Sequence, residues 1–202
     1  MKEPKPINVC QSCGKKTNKK VCNVCVGLVL KPIKEAEKQK KVELAAKKEA
    51  LMTLSDYKKQ LEEKINEIVR LIDRDQNCIS CNNKPNKLFA GHYHSVGSQQ
   101  PIRFNLLNIY GQCYSCNGEK GGLLLQYGQG LINNFGKEHK EYCEFELLRT
   151  FKTIKLDKFE ILEAKKIATE LCKFLKLENK TYSPIERIEL RNKFNRMISI
   201  YL

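Results

Sequence analysis

Apolar residues recur at helical spacing along most of this chain, and each such stretch predicts a helix with one buried face. One helix is expected after Ser55, a suitable N-cap. Its stripe consists of Tyr57, Leu61, Ile65, Ile68 and Ile72. Upstream, Lys34 to Ala50 is rich in Lys, Glu and Ala and has only a thin apolar stripe, which is typical of an exposed helix.

The last third of the chain has the same helical pattern. A face of Leu124, Tyr127, Leu131 and Phe135 predicts a helix, with Gly136 as its C-cap. A second helix is expected over Leu156–Leu175, and Pro184 opens a last one over residues 185–200.

Residues 77–122 lose this periodicity, and Gly, Asn and His become frequent. Short strands are expected around Leu88–Val96 and Asn108–Gln112. The predicted fold class is α+β and mostly helical, with a small zinc-bound core between helices. The expected organisation is an N-terminal zinc knuckle (1–30), a basic helical arm (31–76), the core (77–136) and a C-terminal helical region (137–202).

Cysteine spacing adds metal sites to this picture. Eight of the ten cysteines form four pairs with two residues between the members: Cys10/Cys13, Cys22/Cys25, Cys78/Cys81 and Cys113/Cys116. One tight turn aims both thiolates of a pair at one ion, and two pairs complete a tetrahedron. We therefore expect two structural Zn²⁺ sites, with disulfides as the alternative. Cys143 and Cys172 lie in helical surroundings and are expected to be small buried residues.

Charge favours a phosphate-bearing partner. The net charge is +14, and residues 1–60 hold 15 Lys or Arg against 6 Asp or Glu, which accounts for +9 of it. Basic groups gain by releasing counterions from nucleic acid, although charge alone does not distinguish DNA, RNA and a membrane surface. No stretch is apolar enough to span a bilayer and the first five residues are polar, so we expect an intracellular, cytoplasmic protein with reduced thiols.

The chemistry-bearing residues lie between and just after the two downstream cysteine pairs. His92 lies between them, Asn108 lies five residues before Cys113, and Asn117 directly follows Cys116. This order resembles the HNH (ββα-metal) nucleases. The resemblance implies that His92 is the general base, that Asn108 pins the loop and orients the histidine, and that Asn117 binds a catalytic Mg²⁺ or Mn²⁺.

One position departs from the HNH pattern. Those enzymes usually have an acidic metal ligand just before the histidine, and this chain has Gly91 there. His94, on the same strand face as His92, is our candidate replacement ligand or phosphate contact. The chain also resembles the phage resolvases of the endonuclease VII type, which have two histidines at this spacing and an asparagine directly after the last cysteine. Glu119 is another candidate, although an exposed charge at a helix start is the simpler interpretation. Loss of the acid is also compatible with a catalytically dead fold.

A more extensive resemblance covers residues 78–135 in motif and 9–175 in layout. It rests on Ala90-Gly91-His92-Tyr93, Arg103-Phe104-Asn105, Asn108-Ile109, Gln112-Cys113, Cys116-Asn117 and Lys120. These residues resemble the NinG (Rap) recombination proteins of lambdoid phages, which also have Gly before the histidine. The resemblance implies a structure-specific endonuclease acting on branched DNA such as Holliday junctions.

Two cations near this centre are expected to contact DNA phosphates, Arg103 through its planar fork and Lys120 as a point charge. Ordinary surface cations are the alternative for both. Tyr93 and Phe104 are expected in the hairpin core, and His139, in a polar loop between helices, is expected to have no neighbour of consequence.

Three functions remain open from sequence. The first is a metal-dependent endonuclease on branched DNA, as a homodimer if it cuts two strands and together with other recombination proteins. The second is a non-catalytic zinc protein that binds DNA as a recombination accessory. The third is an HNH endonuclease with a restriction or packaging role.

Overall fold

A computed structural model describes residues 8–17 and 21–201, so the polar first five residues lie outside it. Two compact units are present, residues 1–52 and 53–202. Among the described residues, none of the helices combines the length and the apolar character that crossing a membrane requires.

The first unit is a short hairpin followed by a long helix. Strand β1 (Asn8–Val9) pairs antiparallel with β2 (Lys16–Thr17), and Gly14 in the turn between them has a φ of +71°. Helix α1 (Asn23–Ala50) begins directly after Cys22 and places Cys25 in its first turn. The helix therefore begins well before the predicted Lys34 and runs through Pro32, which sequence rules would place at a helix end. Residues 31–50 are exposed, as predicted.

Three capping boxes begin the long helices of the second unit. Helix α2 (Leu54–Ile72) begins at Thr53, whose hydroxyl accepts from the Asp56 amide while the Asp56 carboxylate accepts from the Thr53 amide. The prediction of Ser55 as N-cap is therefore wrong, because Ser55 has no such reciprocal partner. Asp157 and Ser183 cap α6 (Lys158–Glu178) and α7 (Pro184–Ile198) in the same way. The predicted stripe of α2 is buried, and α2 packs along α6.

A two-stranded sheet and short helices lie between α2 and α6. Strand β3 (Phe89–His92) pairs antiparallel with β4 (Ile109–Gln112), with His92 opposite Ile109. Two 3-10 turns (Gln100–Ile102, Leu106–Asn108) precede β4, and a helical turn (Ser115–Glu119) follows it. Helix α3 (Leu124–Phe135) ends at Gly136, as predicted. Helices α4 (Lys137–Glu141) and α5 (Leu147–Thr150) flank a wide turn over 142–146.

Buried charge ties these elements together. The Asp73 carboxylate, just past α2, accepts from the β4 amide of Gly111 at 2.8 Å and from the guanidinium groups of Arg191 at 2.7 Å and Arg187 at 3.3 Å, both on α7. All three charged side chains are at most 3% exposed. The Arg191 guanidinium also lies over the Tyr110 ring at 4.2 Å and donates to the Leu106 carbonyl. One carboxylate therefore joins α2, β4 and α7.

The expectation that His139 has no neighbour of consequence is wrong. His139 lies on α4, and its Nε2 is 2.6 Å from the Tyr110 hydroxyl, beside Phe135 and the buried Cys143 thiol. The sequence did not show this contact because the partner lies 29 residues away on β4. Burial, together with the charge of Arg191, lowers the pKa of His139 to about 4. His139 is therefore half-buried and neutral at neutral pH, with its ring against the core residue Tyr110.

The substitution Asp73→Asn should lower the free energy of unfolding by about 3–5 kcal/mol, because it leaves two buried guanidinium groups without a counter-charge. Chemical denaturation of the zinc-loaded protein measures the loss. Asp75→Asn is the matched control, since Asp75 is exposed and its positive φ of 62° suits asparagine. Equal stability of the two variants would show that Asp73 does not hold the unit together.

The pKa of His139 predicts a pH dependence of stability. Unfolded His139 takes up a proton near pH 6.5, but the folded chain resists it down to about pH 4. The contribution of neutral His139 to the free energy of unfolding is therefore fully present above pH 6.5 and is lost as the pH falls towards 4. As the pH falls across this window, the free energy of unfolding of the wild type should decrease relative to that of His139→Gln by up to about 1.4 kcal/mol per pH unit. Urea unfolding at pH 7.5, 6 and 5 measures the difference; parallel profiles would contradict it.

Candidate metal and catalytic centre

The second cysteine cluster closes the base of the β3–β4 sheet. Cys78 and Cys81 lie in the loop after α2, and Cys113 and Cys116 follow β4. Their four sulfur atoms all lie within 4.8 Å of one another, and Cys81 Sγ is 3.9 Å from Cys113 Sγ. A tetrahedron with Zn–S bonds of about 2.3 Å has sulfurs about 3.8 Å apart, whereas a disulfide bond is about 2.05 Å. The cluster is therefore compatible with structural zinc.

The first unit contains a similar cluster. The sulfurs of Cys10, Cys13, Cys22 and Cys25 also lie within 4.8 Å of one another, with 3.7 Å between Cys13 and Cys22. The main-chain amide of Cys22 donates to Cys10 Sγ at 3.2 Å and lowers the pKa of this thiol to about 6. This amide stabilises the thiolate, which is the form that binds metal.

The remaining two cysteines are small buried residues, as predicted. The thiol of Cys143 donates to the Leu107 carbonyl and that of Cys172 to the Lys64 carbonyl. Burial raises the pKa of each to about 12.

His92 is the last residue of β3, and a main-chain carbonyl fixes its ring. Its Nε2 lies 3.0 Å from the carbonyl oxygen of Arg103, which can only accept a hydrogen bond. Nε2 must therefore carry the proton, and Nδ1 keeps the lone pair. Burial lowers the pKa of His92, while the Arg103 carbonyl and the Glu62 carboxylate oppose this effect. The ring is therefore neutral at pH 7, as a general base requires.

His94 is held in a similar way. Its Nε2 lies 2.9 Å from the carbonyl oxygen of Cys143, so this nitrogen is also a hydrogen-bond donor. Asn108 is fully buried and bonds the main chain of His94 twice: its Oδ1 accepts from the amide at 2.8 Å and its Nδ2 donates to the carbonyl at 3.0 Å. Asn108 thus fixes the segment where the chain leaves β3, which is why β3 ends before the predicted Val96.

The two histidines line one cavity of about 240 Å³. It is bounded by His92, Tyr93, His94, Ser95, Ser98, Gly121, Gly122, Leu124 and Tyr127. Gly121, Gly122 and Leu123 all have positive φ, between 51° and 89°, and turn the chain sharply into α3. The Tyr127 hydroxyl donates to the Gly91 carbonyl at 2.7 Å and so ties α3 to β3 beside the histidines.

The structure explains why the residue before His92 is glycine. A Cβ at position 91 would lie 1.8 Å from Oε1 of Gln112, a fully buried side chain on β4. Nε2 of Gln112 donates to the Ser80 hydroxyl and to the Gly122 carbonyl, so the amide cannot move aside without losing both bonds. Gln112 thus fills the space that a side chain at position 91 would need, and an acidic ligand cannot be accommodated there.

The other predicted site residues lie outside the cavity lining. Asn117 is half-buried on the helical turn 115–119, which contacts β3, and Glu119 and Lys120 are exposed at its end. Arg103 is an ion-pair partner of Glu62 on α2, with 2.5 Å between Nη2 and the carboxylate. Its phosphate contact would require this pair to open. Tyr93 and Phe104 are buried, as predicted.

Sequence reasoning missed the residues that support the histidines. Gln112 and Tyr127 fix the strand beside His92, and Glu62 holds the segment whose carbonyl orients it. Gln112 directly precedes Cys113 in the cysteine motif, and this position could have indicated that it supports the site. Nothing in the sequence indicated that Glu62 supports this site, because it lies on a helix 41 residues before its partner Arg103.

We expect the purified protein to contain two zinc ions per chain. Ser at Cys81 and Cys113 should remove one ion, and Ser at Cys13 and Cys22 should remove the other, because a tetrahedral site with two thiolates loses most of its affinity. Elemental analysis measures the content. Ala at Cys143 and Cys172 is the matched control and should leave both ions in place. Loss of zinc in this control pair would contradict the assignment.

Comparison with known proteins identifies the family. The sequence model described as Bacteriophage Lambda NinG protein matches residues 3–179. Proteins named Protein ninG from Escherichia phage lambda and Escherichia phage 933W are each 37% identical to this chain, over 102 and 105 residues. The match covers 50% of both chains for phage lambda and 52% of both for phage 933W, so it spans about half the length of these curated relatives. No solved structure gives a significant match. Because the family model covers most of its length, the chain belongs to the NinG family of phage proteins.

Proposed function

We propose that this protein is an HNH-type, structure-specific endonuclease that cleaves branched DNA in phage recombination. The observation that carries the proposal is the pair of cavity histidines, each of which donates a hydrogen bond to a main-chain carbonyl through Nε2. Two imidazole rings that main-chain carbonyls hold in fixed orientations at one cavity are preorganised for catalysis. A strand pair, a four-cysteine cluster and a helical turn beside them support the HNH assignment.

His92 would act as the general base. Water attacks the phosphorus atom while its proton passes to Nδ1 of His92, and the bond from phosphorus to the 3′ oxygen breaks. The products are a 5′ phosphate and a 3′ hydroxyl, whose proton comes from solvent. The Arg103 carbonyl keeps its hydrogen bond to Nε2 and stabilises the imidazolium that forms. Glu62 adds a negative charge that favours the same charged state.

A divalent ion would supply the charge stabilisation that phosphodiester hydrolysis needs. None of the described residues that line the cavity carries a carboxylate, the ligand that Mg²⁺ prefers in proteins. The cavity lining by itself therefore does not make a Mg²⁺ or Mn²⁺ site, and the role of Asn117 as a ligand stays a prediction.

The direct test is cleavage of a synthetic four-way junction, a fork and a linear duplex, each with Mg²⁺, Mn²⁺ or no added divalent ion. His92→Ala should lower the cleavage rate about 10²–10⁴-fold, the usual contribution of a general base. His139→Gln is the matched histidine control, because His139 lies outside the cavity. Its rate should equal that of the wild type.

Two outcomes would contradict the proposal. Unchanged cleavage in His92→Ala would show that another group is the base. Preference for linear duplex over branched substrates would favour the restriction or packaging role.

A second candidate function is a non-catalytic, zinc-containing DNA-binding accessory protein. The specific observation in its favour is the Gly91–Gln112 contact, which excludes the usual acidic ligand. If this second function is correct, the zinc-loaded wild type should bind branched DNA tightly. It should cleave none of the substrates, with either Mg²⁺ or Mn²⁺.

A further inference from the structure

A second cavity of the 53–202 unit, of about 270 Å³, lies between the end of α2 and the loop that leads into β3. Its lining includes Arg70 and Arg74 from the α2 side and Lys84 and Lys87 from the loop. It shares no lining residue with the histidine cavity. Four cations from two chain segments therefore converge on one concave surface.

Ion pairing distinguishes these four cations from others of the unit. Many cations of this unit are in ion pairs, among them Lys64, Arg103 and Lys176. Across residues 8–17 and 21–201, no ion pair involves any of the four that line this cavity. The single lining carboxylate, that of Asp75, accepts a hydrogen bond from the Thr181 hydroxyl at 3.1 Å. With four cations and one carboxylate, the lining has a net charge of +3.

The loop that carries Lys84 and Lys87 is anchored at both ends before any ligand binds. The loop starts at the second cysteine cluster, where the Asn82 amide donates to the Cys78 carbonyl and the Cys78 amide to the Asn83 carbonyl, both at 2.9 Å. It ends in β3, and the Lys87 ammonium lies 5.3 Å from the centre of the Phe89 ring. Arg74 donates to the Asn179 side chain. Little loop entropy is therefore lost when an anion binds.

We propose that this cavity and its rim bind successive backbone phosphates of DNA, as contacts outside the histidine cavity. The inference deepens the proposed function and rests on it for the identity of the polyanion. Exposed lysines at the rim suit a chain of phosphates that continues past the cavity, whereas a site for free phosphate would enclose the ion. Five residues of extended chain separate Lys87 from His92, at most about 17 Å. This is about five base pairs of duplex at 3.4 Å each, so one DNA arm can reach both cavities.

The experiment is a fluorescence-anisotropy titration of the full chain with a labelled four-way junction, without divalent ions, across a series of salt concentrations. Lys84→Ala/Lys87→Ala should raise Kd at least about tenfold at low salt. It should also reduce the slope of log K against log salt by about 2, since each lost phosphate contact removes about 0.9.

The matched control is Lys166→Ala/Lys173→Ala on α6, which removes the same charge from exposed side chains outside the cavity. This control should keep the slope of the wild type. Zinc content and thermal unfolding of both double variants should match those of the wild type, because all four lysines are exposed. If the two double variants give the same Kd and slope, the proposal is overturned.

A second experiment tests whether the cavity binds free inorganic phosphate. NMR amide shifts of Lys84 and Lys87 should saturate with a short duplex and not with an equal concentration of phosphate. Saturation by phosphate that displaces DNA would reassign the cavity to the free ion and overturn the proposal. If the wild type binds the junction but does not cleave it, only the endonuclease proposal is contradicted. If it cleaves the junction but the Lys84/Lys87 double variant binds like the wild type, only the proposal of the phosphate-binding cavity is contradicted.

Discussion

A single buried carboxylate determines how the second unit is assembled. Asp73 accepts hydrogen bonds from a strand amide and from two guanidinium groups of α7. Two positive charges against one negative would be unfavourable in an apolar core, but carbonyl oxygens and the rings of Tyr110 and Phe135 also contact the guanidinium groups. Breaking this network would free β4, and β4 is the strand that keeps β3 and His92 in register.

The histidine cavity depends on segments that are distant along the chain. The carbonyls that orient the two rings come from a 3-10 turn and from the wide turn after α4, and the hydroxyl that fixes Gly91 comes from α3. The four-cysteine cluster holds the base of the same sheet, and Gln112 connects its Ser80 loop to the glycine turn at the cavity. Metal binding and the geometry of the cavity are therefore linked through one side chain.

Local patterns in the sequence predicted local structure well. The stripes of α2 and α3, the Gly136 cap and both cysteine clusters depend on spacing along the chain, so the sequence showed them directly. Contacts between distant segments were not predictable in this way. Nothing near Arg191 indicates that its guanidinium is fully buried, because the Asp73 that compensates it lies 118 residues earlier. For the same reason, the sequence placed His139 in a loop although it bonds the core tyrosine.

The contact between Gly91 and Gln112 has a consequence for how this site can change in evolution. The volume beside the histidine strand holds either a side chain at position 91 or the amide of residue 112, but not both. A relative that gained an acid before its histidine would first need a shorter residue at the second position. That step would cost the Gly122 carbonyl its 2.7 Å bond from the amide and leave it the longer 3.3 Å bond from the Ser80 hydroxyl. The two positions should therefore co-vary as a pair, and single replacements would be counter-selected.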